Sequence, residues 1–141
     1  MGESNRKKII SLFAAVVIIL ICIICILLVF SKKSFKDLAD TDHNELTKVV
    51  VTSGSDGSHV EFIDADKIKE LVSVFESCEY RKVFFREKST GYSFYFDFYS
   101  GNEVVLRITG TGSAIKVDDK DYKVVGEIDT DRIRALFNSA K

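Results

Sequence analysis

The apolar positions of this chain are concentrated near its N-terminus, in an uninterrupted run at Ile9–Phe30. All 22 residues of this run are apolar except Ser11. As a helix, such a run rises about 33 Å, which matches the roughly 30 Å of hydrocarbon in a bilayer. Lipid offers the backbone no hydrogen-bond partners, so a spanning segment must be helical. The pattern predicts one transmembrane helix, with residues 9–30 in contact with the lipid bilayer.

A cleaved signal peptide is the alternative interpretation of this segment. Arg6, Lys7 and Lys8 fit its positive n-region, and Val29 and Ser31 are acceptable before a cleavage site. Against cleavage, the run exceeds the roughly 7–15 apolar residues of a signal-peptide core, and no A-x-A sequence is present. We favour the uncleaved anchor, and cleavage stays open at this point.

Further along the chain, short runs alternate apolar and polar residues, which is the period of β-strands. Glycine, serine and aspartate separate these runs and favour turns. The longest run, YSFYFDFYS, covers Tyr92–Ser100. The predicted strands are Lys48–Ser53, Ser58–Ile63, Tyr80–Arg86, Tyr92–Ser100, Glu103–Thr109, Ala114–Val117 and Tyr122–Val125.

Two segments instead show helical spacing. Behind Asp64, a good N-cap residue, Ile68, Leu71, Val72 and Phe75 recur at the spacing of one helix face, and this helix is predicted to end near Cys78. The second predicted helix, Asp131–Ala140, has Asp129 or Thr130 as its cap and carries the same spacing at Ile133, Leu136, Phe137 and Ala140.

The element order ββαβββ(ββ)α predicts an α+β domain. No strand is a long apolar run flanked by helices, so a parallel sheet is not expected. We expect an antiparallel sheet of about 5–7 strands with two helices on one face. The predicted organisation is a basic N-terminus at 1–8, the transmembrane helix at 9–30, a solvated linker at 31–47 and the soluble domain at 48–141.

Alternation assigns the two faces of the predicted sheet. Tyr92, Phe94, Phe96 and Phe98 fall on one side of their strand, and we expect them to pack under the helices with Val83, Phe85, Val104, Leu106 and Ile108. The other side presents Lys82, Asp97, Val105 and the candidate binding face, which consists of Phe84, Tyr95, Tyr99 and Arg107. Tyrosine, phenylalanine and arginine are enriched at protein interfaces, although cross-strand pairs of these types also stabilise an exposed sheet.

The formal net charge of −1 is the sum of a basic N-terminal part and an acidic remainder. Residues 1–36 carry a net charge of +5, and residues 37–141 carry −6. The acidic balance of the soluble part argues against a nucleic-acid partner, because phosphate binding needs a basic face. Basic residues flank both ends of the apolar run, so the positive-inside rule is nearly balanced. The short N-terminal flank and the long downstream domain favour a cytoplasmic N-terminus at the plasma membrane and a C-terminal domain outside.

The sequence predicts neither an enzyme nor a cofactor or metal site. His43 and His59, the two histidines, lie outside any recognisable nucleophile context. Cys22 and Cys25 lie inside the apolar run, where the thiolate is strongly disfavoured. Cys78 is the only cysteine of the soluble part, so that part can form no internal disulfide.

The segments VEFIDADKIKELV, GYSFYFDFYSGNEVVLRI and DDKDYKVV, followed by a short end helix, give a pattern across Val49–Phe137. This pattern resembles small membrane-anchored extracytoplasmic domains of unknown function from low-GC Gram-positive bacteria. The resemblance implies fold and location, and it transfers no functional residue. From the anchor and a compact domain without catalytic residues, we expect a non-catalytic module that binds an envelope protein or serves as an envelope accessory. The alternative is an inhibitor or immunity-type regulator of a membrane or secreted enzyme, which would insert a loop at Glu87–Gly91 or Gly110–Ser113.

Overall fold

A computed structural model describes residues 2–39, 45–84 and 94–141 of the chain. The chain divides into two compact units, Met1–Ser31 and Lys32–Lys141. The first unit contains helix α1, Gly2–Val29. This helix is long and apolar enough to cross a membrane, a property that signal sequences share.

The second unit is a mixed α+β domain, as predicted. Its elements in chain order are β1 Lys32–Lys33, α2 Phe35–Ala39, β2 Lys48–Ser53, β3 His59–Phe62, α3 Ala65–Glu76, β4 Glu79–Lys82, β5 Phe94–Ser100, β6 Glu103–Thr109, β7 Ala114–Val117, β8 Lys120–Val125 and α4 Thr130–Ser139. The strands form one antiparallel sheet in the order β1-β4-β8-β7-β6-β5-β2-β3. This order contains eight strands, so the expected number of 5–7 was slightly low.

One face of the sheet and the helices enclose the hydrophobic core. Phe96 and Phe98 of β5 point inward, as predicted, and both lie within about 6 Å of the Phe75 ring of α3. Phe35 of α2 contacts Phe98, and Phe137 of α4 contacts Phe94. All three helices of the domain therefore pack on the same side of the sheet.

The helix boundaries follow their capping residues. The Asp64 carboxylate accepts hydrogen bonds from the backbone N–H groups of Asp66 and Lys67. Asp129 caps α4 in the same way, by accepting from the Arg132 N–H. These bonds satisfy N–H groups that the first turn of a helix leaves without partners, and they confirm the caps expected at both helices.

The segment expected to be a linker enters the domain much earlier than residue 48. Lys32 and Lys33 pair with Arg81 and Tyr80 of β4, which adds an edge strand to the sheet. Phe35 follows and is only 1% exposed. The physical reason is the isolated apolar pair of Phe35 and Leu38, which is too short to show a period in the sequence. Residues 40–44 of the expected linker lie outside the described residues.

Four predicted strands differ at their ends. In place of Ser58–Ile63, β3 covers His59–Phe62, and in place of Tyr122–Val125, β8 covers Lys120–Val125. Instead of Tyr80–Arg86, β4 covers Glu79–Lys82, and Val83 beyond it is half-buried. Phe85, predicted in the core, lies outside the described residues, as do Tyr92 and Ser93 of the predicted strand before Phe94.

Candidate binding face

The outer side of the sheet brings together residues from three neighbouring strands, β2, β5 and β6. Register pairs Tyr95 with Thr52 on one side, and Asp97 with Arg107 on the other. Tyr95 is 40% exposed, whereas its inward neighbours Phe94 and Phe96 are buried. Three of the four predicted site residues, Tyr95, Tyr99 and Arg107, thus lie on two adjacent strands.

An ion pair fixes the centre of this surface. The Arg107 Nε–H donates to the Asp97 carboxylate at 2.6 Å. This hydrogen bond and the carboxylate charge raise the pKa of the Arg107 guanidinium above its ordinary value. Because the other guanidinium nitrogens extend from a side chain that is 60% exposed, they can donate to a carboxylate or carbonyl of a partner.

Tyr99 has a cation on its ring. The Lys48 Nζ lies 4.4 Å from the ring centroid, a cation–π geometry. The same ammonium lies 4.0 Å from a carboxylate oxygen of Glu61 on β3. These contacts hold a flat aromatic ring against the sheet at low entropic cost.

Strand β6 contains a β-bulge, and sequence alternation therefore assigned Val104 and Val105 to the wrong faces of the sheet. The pairing of β5 with β6 shifts between Phe98 and Tyr99, so that Tyr99 lies opposite Val104 while Phe98 lies opposite Leu106. Val105 is the extra residue and packs partly against the core. Val104 is 41% exposed instead of buried, and it joins the surface beside Tyr99. A bulge places two residues opposite one and so breaks the period of two.

Phe84 does not belong to this surface. It follows the end of β4, and β8, β7 and β6 lie between β4 and β5 in the sheet. Its side chain is 60% exposed. We call the surface formed by Tyr95, Asp97, Tyr99, Val104 and Arg107 the open face, because no helix of the described residues packs on this side.

The two loops proposed for an inhibitor differ in what the structure describes. At Gly110–Ser113, the Gly110 N–H donates to the Phe94 carbonyl, and the Thr130 hydroxyl donates to the Thr111 carbonyl. Gly110 and Thr111 are buried, so this turn is held against the domain and offers little length for insertion into a partner. Glu87–Gly91 lies outside the described residues.

The chemistry available at the open face is that of recognition. Its groups are phenol rings, one aliphatic side chain and a charged pair, and His59 on β3 is exposed nearby. Within the described residues, no group of three or more histidine, cysteine or acidic side chains could hold a metal ion. Comparison with protein-family models, curated proteins and solved structures finds no match for this chain.

Proposed function

We propose that this chain is a single-pass membrane-anchored protein whose non-catalytic domain binds another protein of the cell envelope. The observation that carries the proposal is the open face, on which aromatic, aliphatic and guanidinium groups lie together on a rigid sheet. Tyrosine and arginine are among the residue types that contribute most of the binding energy at protein interfaces. The apolar helix Gly2–Val29 supports the anchor by its length and composition.

The proposed arrangement puts the N-terminus in the cytoplasm and the domain outside the plasma membrane. A domain of more than 100 residues follows the apolar run. Long domains are translocated largely regardless of their charge, and the basic residues at the two ends of the run nearly balance each other, so the downstream domain favours this orientation.

Alanine substitution of the open face tests the proposed binding. We expect Tyr95→Ala, Tyr99→Ala and Arg107→Ala, combined in the full chain, to abolish recovery of the envelope partner from detergent-solubilised membranes. Each interface residue of this kind contributes about 2 kcal/mol, roughly 30-fold in affinity. Partners are identified by mass spectrometry after crosslinking in intact cells.

The matched control removes exposed side chains from the helix layer. Lys69→Ala and Arg134→Ala change residues of α3 and α4 on the opposite side of the sheet, and we expect them to leave recovery unchanged. Equal recovery by the open-face variant and this control would exclude the open face as the binding surface. An unchanged near-ultraviolet circular dichroism spectrum confirms that each variant is folded.

A further inference from the structure

The charge of the sheet is divided between its two halves. The contiguous strands β1, β4, β8 and β7 contain seven lysine and arginine residues and two acidic residues, a net charge of +5. Strands β6, β5, β2 and β3 contain two basic and three acidic residues, a net charge of −1. The basic half is notable because the soluble part as a whole is acidic.

The cations are densest where β1 pairs with β4. Lys32 lies directly opposite Arg81, and Arg81 lies directly opposite Lys123 of β8. Like charges in directly opposed positions destabilise a sheet. Glu79 compensates one of them, through a 2.7 Å ion pair with Lys32. Lys32 and Arg81 lie on the outer side of the sheet, whereas Lys33 and Lys82 lie opposite the buried Tyr80 and Tyr122 on the helix side, so the cations flank both faces of this edge. We call these four basic residues and Phe84 the basic corner.

Protection of the sheet edge explains only part of this cluster. Lysines on an edge strand discourage pairing with other chains, and β1 is an edge strand. Arg81 and Lys82 belong to β4, which is already paired on both sides by β1 and β8. Their charges therefore need another explanation.

An exposed aromatic ring completes the basic corner. Phe84 is 60% exposed, and the Lys82 Nζ lies 5.4 Å from its ring centroid. The Val83 N–H donates to the Asp121 carbonyl at 3.0 Å, which extends the pairing of β4 with β8 and holds this segment in place. An aromatic ring beside lysines is the composition of protein surfaces that enter the lipid headgroup region.

The acidic residues of the neighbouring β7–β8 turn are engaged away from this corner. The Asp118 carboxylate accepts a hydrogen bond from the Arg107 N–H of β6. Asp119 lies 3.9 Å from the Lys116 Nζ of β7.

Covalent connection determines which surface the basic corner can meet. Lys32 is the second residue after Phe30, the last residue of the apolar run, and two residues extend at most about 7 Å. The headgroup region on each side of a bilayer has a thickness of this order. If the apolar run spans the bilayer, Lys32 is tethered at headgroup depth.

We propose that the basic corner binds the phosphates of anionic phospholipids in the bilayer that holds the anchor. Lys33, Arg81 and Lys82 contact headgroup phosphates, and the Phe84 ring enters the boundary between headgroups and acyl chains. The inference rests on the proposed membrane anchor. Its consequence is that lipid phosphates relieve the repulsion between Lys32, Arg81 and their neighbours.

A tryptophan reporter tests this binding in the full chain. The chain contains no tryptophan, so Phe84→Trp introduces a single emitting residue. The variant is incorporated into nanodiscs of phosphatidylcholine, with or without phosphatidylglycerol, and quenching by lipids brominated on their acyl chains is measured. We expect strong quenching in discs that contain phosphatidylglycerol. We expect it to weaken at about 1 M salt, where the screening length falls to roughly 3 Å.

Two kinds of control are included. One tests whether the quenching is specific to the basic corner, and the other tests whether it depends on the positive charges there. Gly112→Trp puts the reporter in the β6–β7 turn, at the other end of the strands, where an added side chain meets open space, and we expect no quenching there. On the Phe84→Trp background, Lys33→Gln, Arg81→Gln and Lys82→Gln together weaken binding about fivefold for each charge, roughly 100-fold in all. The same loss of charge in α3 and α4, through Lys67→Gln, Lys69→Gln and Arg134→Gln, leaves quenching unchanged.

Each of the remaining outcomes would contradict one part of the proposal. If Phe84→Trp is quenched no more than Gly112→Trp while the chain co-migrates with the discs, the basic corner does not bind lipid, and the anchor stands. Equal quenching with and without phosphatidylglycerol overturns the role of the anionic phosphate. If the full chain does not co-migrate with discs at all, the proposed anchor fails, and this inference fails with it.

Discussion

At the scale of single residues, Tyr80 links the sheet to the end of α3. Its ring is fully buried, and its hydroxyl donates to the Phe75 carbonyl at 2.7 Å. The Cys78 N–H donates to the same carbonyl. The tyrosine therefore helps to satisfy the last turn of the helix, where carbonyl groups lack partners within the helix.

We expect Tyr80→Phe to reduce the free energy of unfolding by about 1 kcal/mol, because one buried hydrogen bond is lost while the carbonyl keeps another donor. The measurement is denaturant unfolding of the full chain in detergent, followed by near-ultraviolet circular dichroism. A loss above about 3 kcal/mol would contradict this account, since it would mean that the ring had also been displaced.

The same residue makes stability depend on alkaline pH. Burial raises the pKa of the Tyr80 phenol above its ordinary value of 10.0. The folded state then keeps the proton that the unfolded state releases, so stability is complete below about pH 10 and decreases above it. Each such group contributes a slope of up to about 1.4 kcal/mol per pH unit. We expect Tyr80→Phe to show a shallower decrease than the parent chain, and identical slopes would contradict this.

The Arg107–Asp97 pair is expected to contribute little to stability. Both side chains are partly exposed, and pairs of this kind stabilise proteins by about 0.2–1 kcal/mol. A double-mutant cycle with Asp97→Ala and Arg107→Ala should give a coupling energy in this range. A coupling energy well above 1 kcal/mol would show that the pair is a structural element of the sheet and not an available binding group.

At the scale of elements, α2 joins the region beside the apolar run to the core. Phe35 stacks on Phe75 with 5.4 Å between ring centroids and lies 6.0 Å from the Phe98 ring. Within α2, the Asp37 carboxylate accepts from the Ser34 hydroxyl and N–H, and these bonds lower the pKa of Asp37. A five-residue helix is too short to be stable by itself, so its position depends on Phe35.

We therefore expect Phe35→Ala to cost about 3–5 kcal/mol, the usual loss for a buried phenylalanine. Lys36→Ala, an exposed neighbour in the same helix, should change stability by less than about 0.5 kcal/mol. Both are measured on the full chain by hydrogen exchange of β2 and β5 amides. Similar hydrogen exchange in the two variants would show that residues 31–47 act as a linker and do not stabilise the domain.

The elements that could be predicted are those whose period is repeated several times. Alternation over β5 and the helical spacing of α3, with Asp64 before it, are local patterns that burial then enforces. A two-residue strand such as β1 is too short to show a period. Its pairing partner Arg81 is also distant in sequence, so no local pattern indicates the pairing. The bulge at Val105 is equally invisible, since either valine of the EVVLRIT run fits an alternating strand.

At the scale of the whole molecule, one sheet carries two surfaces of different chemistry. The open face lies on β5 and β6, and the basic corner lies on β1 and β4, with β8 and β7 between them. Sequence alternation assigned Lys82 and Phe84 to the first surface, but Tyr80 is the buried residue of β4, so Lys82 lies on the helix side and the predicted faces of this strand are reversed. Alternation also carries no information on the order of strands. Strand order is a long-range property, and it separates the open face from the basic corner.

Membrane sidedness is the prediction that belongs to the whole chain. The native cysteines give little background, because Cys78 is buried and Cys22 and Cys25 lie in the apolar run. With an impermeant maleimide, we expect Gly112→Cys to be labelled in intact cells, and Ser4→Cys only after permeabilisation. The reverse pattern would place the domain in the cytoplasm.

This experiment also decides whether the apolar segment is retained. If a signal peptidase removed it, a label at Ser4→Cys would never appear on the chain that carries Gly112→Cys, even after permeabilisation. A retained segment keeps both labels on one polypeptide of full length. Retention is required by the proposed lipid contact, because only a continuous chain keeps Lys32 two residues from the end of the apolar run, at most about 7 Å. Cleavage would leave the open face able to bind its partner but would release the domain from the bilayer.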